Sequence, residues 1–328
     1  MTAGLSAGTG APQEPVPTNL VWHYTDGGGL LSILANHILW ATSSAFLNDA
    51  QEVALGVGRI ADRLRELALD DDTYRLITEG LDPFRSSSTV ASRCYILSAS
   101  ETWDSLAMWR LYGGARESYA IGLDPEVPLS VLSNGGTFDD TELVGARVYL
   151  KRMRWEPVRY RADEQAALIE AVVDDLPAQL VQLRSAFTAL GDERATILPE
   201  STWSLVRSVL DDLEQALVLI KHEGFSEERE VRQAIVMHSD EQQPEAADLE
   251  AQLLSYRPTG YGIAPYLRLT GGTDERSVTD VPALLPIRAV AISPSPNGVA
   301  AEQSVRRLLE SHGYRDVSVI RSAIPYRS

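Results

Sequence analysis

Leu20-Val21-Trp22-His23-Tyr24-Thr25-Asp26-Gly27-Gly28-Gly29-Leu30-Leu31-Ser32-Ile33-Leu34 is the stretch on which the fold reading turns. Its first six residues are rich in β-branched and aromatic side chains and predict a strand. Asp26 and the three glycines that follow are read as a break. Leu30, Leu31, Ile33 and Leu34 then suit a short helix buried on one side. Ile38-Leu39-Trp40-Ala41-Thr42 predicts a second strand.

Working outward, Asp49 with Glu52 three residues later reads as an aspartate capping box, opening a helix that carries Val53, Val57, Ile60, Leu64 and Leu67. Arg93 to Ser98, Ser118 to Leu123 and Val144 to Leu150 read as strands, and Thr102 to Tyr112 as a helix. From Asp163 to Lys221 the pattern turns helical, with a stripe of Val206, Val209, Leu210, Leu213, Leu217 and Ile220. Strands return at Glu230 to Met237, Tyr266 to Leu269, Ile287 to Ile292 and Val317 to Ile320. Asp240 to Glu250 reads as an acidic loop and Val299 to His312 as a helix.

No regular alternation of strand and helix appears. The expected class is therefore α+β, a mixed or antiparallel sheet core with a helical insertion over 163–222. Residues 1–19, rich in Gly, Pro, Ala and Thr, are read as a disordered leader, and 20–328 as one α+β domain.

Composition excludes some roles. The 328 residues include 46 acidic and 29 basic side chains, a net charge of -17, so bulk binding to nucleic acid or anionic lipid is disfavoured. Cys94 is the single cysteine, which rules out an intrachain disulfide and fits a cytoplasmic location. No apolar run has the length of a membrane span. The five histidines lack ligand spacing, no zinc signature is present, and no metal site is expected. No phosphate loop and no nucleophile elbow is found either.

The motifs in chain order resemble those of a bacterial family catalogued as domain of unknown function 2971. Trp22 to Thr25 is similar to its Tyr-His-Tyr-Thr-like opening strand, and Ile33-Leu34 to the end of its first helix. Phe46-Leu47-Asn48-Asp49-Ala50-Gln51-Glu52, Met108-Trp109-Arg110-Leu111-Tyr112, Glu228-Arg229-Glu230-Val231-Arg232 and Ser322-Ala323-Ile324-Pro325-Tyr326-Arg327 follow in the family's order. The resemblance is read as running from about residue 20 to the C-terminus. Cys94-Tyr95 departs from an expected Cys-Phe, and the helical insertion is long. This resemblance implies no activity.

A more distant resemblance, to ADP-ribosyltransferases, implies one. Such enzymes carry a His or Arg on a first strand, a Ser, Thr or Tyr on a second, and a Glu opening a late strand. The Glu holds the nicotinamide-ribose hydroxyl and stabilises the cationic sugar as nicotinamide leaves. The resemblance assigns His23, Glu230 and Glu228 to catalysis and NAD to the site as substrate. It places His23, Tyr24, Thr25, Thr42, Ser43, Asn48, Trp109 and Tyr112 around NAD. The acceptor is a protein, a nucleic acid or a small molecule, in a toxin or phage-defence setting. Residues two apart in a strand share a face, so Glu228 and Glu230 are expected to point one way.

Plainer readings stand beside these. Glu227-Glu228-Arg229-Glu230 is a charge run, ordinarily a solvated face. Asn48, Asp49 and Glu52 are explained by capping, Trp109 and Tyr112 by core packing. One rival is a hydrolase or nuclease that gathers Asn48, Asp49, Glu52 and Glu230 around a divalent cation. The other is a non-catalytic sensor or interaction protein whose acidic insertion recognises a partner.

Overall fold

A computed structural model describes residues 17–46, 50–66, 94–113, 117–173, 212–239, 243–260, 262–272 and 278–325, the side chains of 50–55 excepted. The expected leader up to residue 16, Asn48, Asp49, the Glu52 side chain, the middle of the 163–222 insertion and the terminal Tyr326-Arg327 lie outside the described residues.

In chain order the elements begin β1 (Val21–Asp26), α1 (Gly27–Asn36), β2 (Leu39–Ser43), α2 (Ala50–Glu66), β3 (Cys94–Ser100), α3 (Leu106–Tyr112), β4 (Ser118–Leu123) and β5 (Leu129–Leu132). Next come α4 (Asp140–Gly145), β6 (Val148–Arg152), β7 (Glu156–Pro157), α5 (162–173), α6 (212–218), β8 (Glu230–Ser239), α7 (Pro244–Leu253) and β9 (Leu254–Thr259). The chain finishes with β10 (Gly262–Gly271), β11 (Val278–Thr279), β12 (Ile287–Ile292), α8 (Gly298–Ser311) and β13 (Ser318–Arg321). The class is α+β, with mixed but mainly antiparallel strand pairing.

By internal contacts the chain divides into two compact units. The first draws on 1–37, 100–127 and 283–328. In it β4 lies between β1 and β12, antiparallel to both, and β13 adds in parallel to β12 after the α8 crossover. Trp22 and Tyr24 project from one face of β1 into a core with Met108, Trp109, Ala289 and Ile320. Gly122, opposite Trp22, admits the indole: a Cβ there would meet the ring at 2.8 Å.

The glycines after Asp26 do not break the chain. They form the first turn of α1, because Asp26 caps it by accepting from Gly29 N at 2.7 Å. A side chain at 29 would run into Thr25 Oγ1, 1.9 Å from an ideal Cβ, so glycine is required there.

The second unit, 38–99 and 128–282, holds the strand order β11-β5-β10-β2-β3, with β8 beside β3, β6 and β7 beside β8, and β9 beside β10. Two expectations are corrected in it. The segment read as an acidic loop is in large part α7, with Pro244 in its first turn and Ala246, Leu249 and Leu253 buried at helical spacing. The strand expected at 144–150 begins only at Val148, because Asp139 and Glu142 form a capping box that makes 140–145 helical. The described ends of the insertion are helical, and Leu213 and Leu217 of its stripe are fully buried. Ile220 lies beyond the helix, in a bridge to Arg159.

Candidate functional site

The second unit contains a compact cluster of buried charge at the start of β8. Lys221 follows the apolar end of α6, and a short 3-10 turn, Glu223–Glu228, leads to Arg229 and Glu230. Arg229 has φ 44°, in the left-handed region, which re-aims the chain between the two glutamates. Lys221 Nζ donates to Glu228 Oε2 at 2.9 Å and to Glu230 Oε2 at 3.0 Å. Arg232 donates from Nε to Glu230 Oε1 at 2.8 Å, from Nη2 to Oε2 at 2.9 Å, and from Nη1 to the Val218 carbonyl at 2.6 Å. All four side chains are buried, and their formal charges cancel.

Two readings of Glu227 to Glu230 are thereby corrected. Glu227 and Arg229 are exposed, but Glu228 and Glu230 are buried, so the run is no solvated face. The two carboxylates do meet, yet not by strand spacing: only Glu230 is in the strand, and Arg229 supplies the turn.

Neighbouring groups brace the cluster. The backbone N–H of Glu230 donates to Tyr160 Oη at 2.9 Å. Gln165 Nε2 donates to the carbonyls of Arg159, Tyr160 and Lys221, while its Oε1 accepts from Arg59. Lys221 Nζ lies 5.0 Å from the centre of the Phe225 ring. Burial by itself pushes the Glu230 carboxyl up. The Arg232 charge and hydrogen bonds, then Lys221 and the Ser98 hydroxyl, outweigh it and bring the group down to about 2. Burial raises the Tyr160 phenol to about 12. Glu230 is thus a carboxylate, and a carboxylate offers about four acceptor positions. Arg232, Lys221 and Ser98 take them.

Thr42 and Ser43 are in this same unit, at the end of β2, and both are buried. Thr42 Oγ1 accepts from Arg257 Nη2 at 2.7 Å. His23, Tyr24, Thr25, Trp109 and Tyr112 belong to the other unit. His23 and Thr25 are half-buried, on the face of β1 opposite Trp22 and Tyr24. Tyr24 donates its hydroxyl to the Thr102 carbonyl at 2.8 Å and meets Trp109 edge-on at 4.7 Å. Burial raises its phenol well above the usual range. Trp109 is buried, with Nε1 donating to Asp104 Oδ1 at 3.0 Å, and Tyr112 is exposed.

Sequence reasoning missed Lys221, Arg232, Tyr160 and Arg257. A signal existed for two of them. Lys221 ends the apolar run Ala216-Leu217-Val218-Leu219-Ile220, and Arg232 sits in a strand pattern with Val231, Ile235 and Val236. A charge embedded in such a run requires a counter-charge nearby. Among the described residues, no three His, Cys, Asp or Glu side chains gather as metal ligands, and no helix is long and apolar enough to cross a membrane.

Comparison with known proteins gives one likeness. No curated protein and no solved structure matches the chain. Residues 108–233, from Met108 through Glu228 and Glu230 to Gln233, match the model of a family described as a protein of unknown function (DUF2971). The match is narrower than the span the sequence landmarks suggest: Trp22 to Thr25, Phe46 to Glu52 and Ser322 to Arg327 fall outside it. The charge cluster falls inside, so over this central segment the chain is similar to a family whose own description assigns no activity.

Proposed function

We propose that the chain transfers ADP-ribose from NAD, with Glu228 and Glu230 as the carboxylates of the reaction. The observation that carries the reading is that Glu230 opens a strand as a buried carboxylate, beside a second carboxylate held on the same lysine. The order β2-β3-β8 supports it, since Thr42 and Ser43 lie on a strand only one removed from that of Glu230. In the reaction the bond from nicotinamide to ribose breaks, nicotinamide leaves with the bonding pair, and a carboxylate stabilises the cationic sugar until the acceptor attacks. For Glu230 to touch a ribose hydroxyl, Lys221 or Ser98 must give up one acceptor position.

That requirement favours a second reading, in which the cluster is an internal ion-pair lock and the chain is a non-catalytic binding protein. Release of nicotinamide from NAD by the purified chain separates the two. The transferase reading expects turnover, and expects Glu230→Asp, which keeps the charge, to lose at least a hundredfold of it while still melting cooperatively. No NAD consumption with a range of protein and nucleic-acid acceptors rejects it in favour of the lock, and full turnover in Glu230→Asp rejects Glu230 as the reacting carboxylate.

A further inference from the structure

In a chain with 46 acidic side chains against 29 basic ones, a half-buried arginine is expected to find a carboxylate. Among the described residues, two on one face of the second unit's sheet do not. The register of β10 with its neighbours sets Arg268 opposite Trp40, Tyr266 opposite Thr42, and Ala264 opposite Arg257. Directly paired residues share a face, and so do alternate residues of β10, so all six side chains stand on one side of the sheet.

The small Ala264 leaves room for the Arg257 side chain to cross β10. Its guanidinium lies 5.3 Å from the Trp40 ring centre and donates to Thr42 Oγ1. Trp40 in turn leans on Tyr266, with ring centres 4.9 Å apart, and remains 43% exposed. Arg268 Nη2 donates to the Leu132 carbonyl at 3.2 Å and to Asn134 Oδ1 at 2.7 Å. Those neutral acceptors and Thr42 are the hydrogen-bond partners of the two guanidinium groups among the described residues, and the Nε of each is buried with no partner. A desolvated cation without a counter-charge is costly, and that cost falls when an anion arrives.

We propose that this face is a nucleotide subsite, in which Arg257 and Arg268 take the phosphate oxygens and the exposed Trp40 ring stacks on the base. A guanidinium presents a planar fork that suits phosphate, and it stacks on aromatic rings. An exposed indole beside it supplies the shelf for a planar base. The net charge of -17 repels a long polyanion, so the occupant is a small nucleotide rather than a nucleic-acid strand. The inference stands without the transferase reading, and AMP and ADP, which carry no nicotinamide, test it separately.

The test is calorimetric titration of the full chain at low salt with ADP, AMP, adenosine, pyrophosphate and a short single-stranded oligonucleotide. ADP and AMP are expected to bind, with adenosine and pyrophosphate each at least tenfold weaker than ADP. Arg257→Gln should weaken ADP at least tenfold and Trp40→Leu at least fivefold. Arg257→Lys keeps the charge and the stem but loses the fork, so it should also weaken ADP, and it serves if Arg257→Gln does not fold. No binding of either nucleotide, equal affinity in the folded variants, or an oligonucleotide that binds more tightly than ADP each overturns the proposal.

Discussion

The second unit handles charge in two opposite ways. At the start of β8, Lys221, Arg232, Glu228 and Glu230 are buried together and neutralise one another. Across β9, β10 and β2, Arg257 is half-buried against Trp40 and Thr42, and Arg268 against the Leu132 carbonyl and Asn134, with no carboxylate within reach among the described residues. The first arrangement is closed, and removing any member leaves an uncompensated charge in a dry place. The second is open and carries positive charge to spare. A closed cluster has its charge compensated from within, whereas an open one leaves positive charge uncompensated by the protein. The two therefore respond differently to the same kind of substitution.

The largest expected effect is in the closed cluster. Glu230→Gln leaves Arg232 buried without its carboxylate and should destabilise the chain by about 3–5 kcal/mol, read as a lowered urea midpoint. Combining it with Arg232→Met should recover much of that loss, since the pair is removed together. A double variant no better than the sum of the single ones breaks the comparison.

Acid is the next lever. The Glu230 carboxyl ordinarily titrates at about 4.3 in an unfolded chain, and in the folded state it is brought down to about 2. The unfolded state thus binds the proton first. The stability contributed by the ion pairs is fully present above pH ~5 and is lost as pH falls from there toward 2. Glu230→Gln should flatten that part of the stability–pH curve, and an unchanged slope would show that other carboxylates govern it.

In the open face the same experiment should do little. Arg257→Gln removes a cation that has no carboxylate partner, so its effect on stability should stay within about 1 kcal/mol. A loss as large as that of Glu230→Gln would mean the two regions are alike after all. Smallest of all is Arg229→Gly. It relieves a left-handed backbone at the cost of a freer unfolded chain, and the urea midpoint should rise by the equivalent of only about 0.5 kcal/mol with the cluster intact.

Much of the frame was legible in the sequence. The strand at Ser118–Leu123 lies where its pattern put it, and β1, β2, β8 and β12 fall within a few residues of their expected positions. These strands are apolar and flanked by turn chemistry, so local pattern suffices. α7 was missed because the acidic residues along it outweighed the spacing of Ala246, Leu249 and Leu253. β10 was read as Tyr266 to Leu269 because Pro265 interrupts the pattern. The ladder to β2 begins only at Tyr266, so that proline costs it nothing. Of the site, Glu228 and Glu230 were visible as carboxylates but not as buried ones. Burial there depends on Lys221 and Arg232, and cation and anion become partners through a left-handed residue that no spacing rule anticipates.

The first unit is stitched from three distant stretches of chain, and its central strand β4 is completed on one edge by β12. During synthesis, Trp22 and Tyr24 leave the ribosome on the order of tens of seconds before Ala289, Ala291 and Ile320, which share their core. Two large aromatics are without their final cover for that interval. The sheet that holds them is finished only when β12 and β13 arrive, so shortening the chain before β12 should yield a product that chaperones retain.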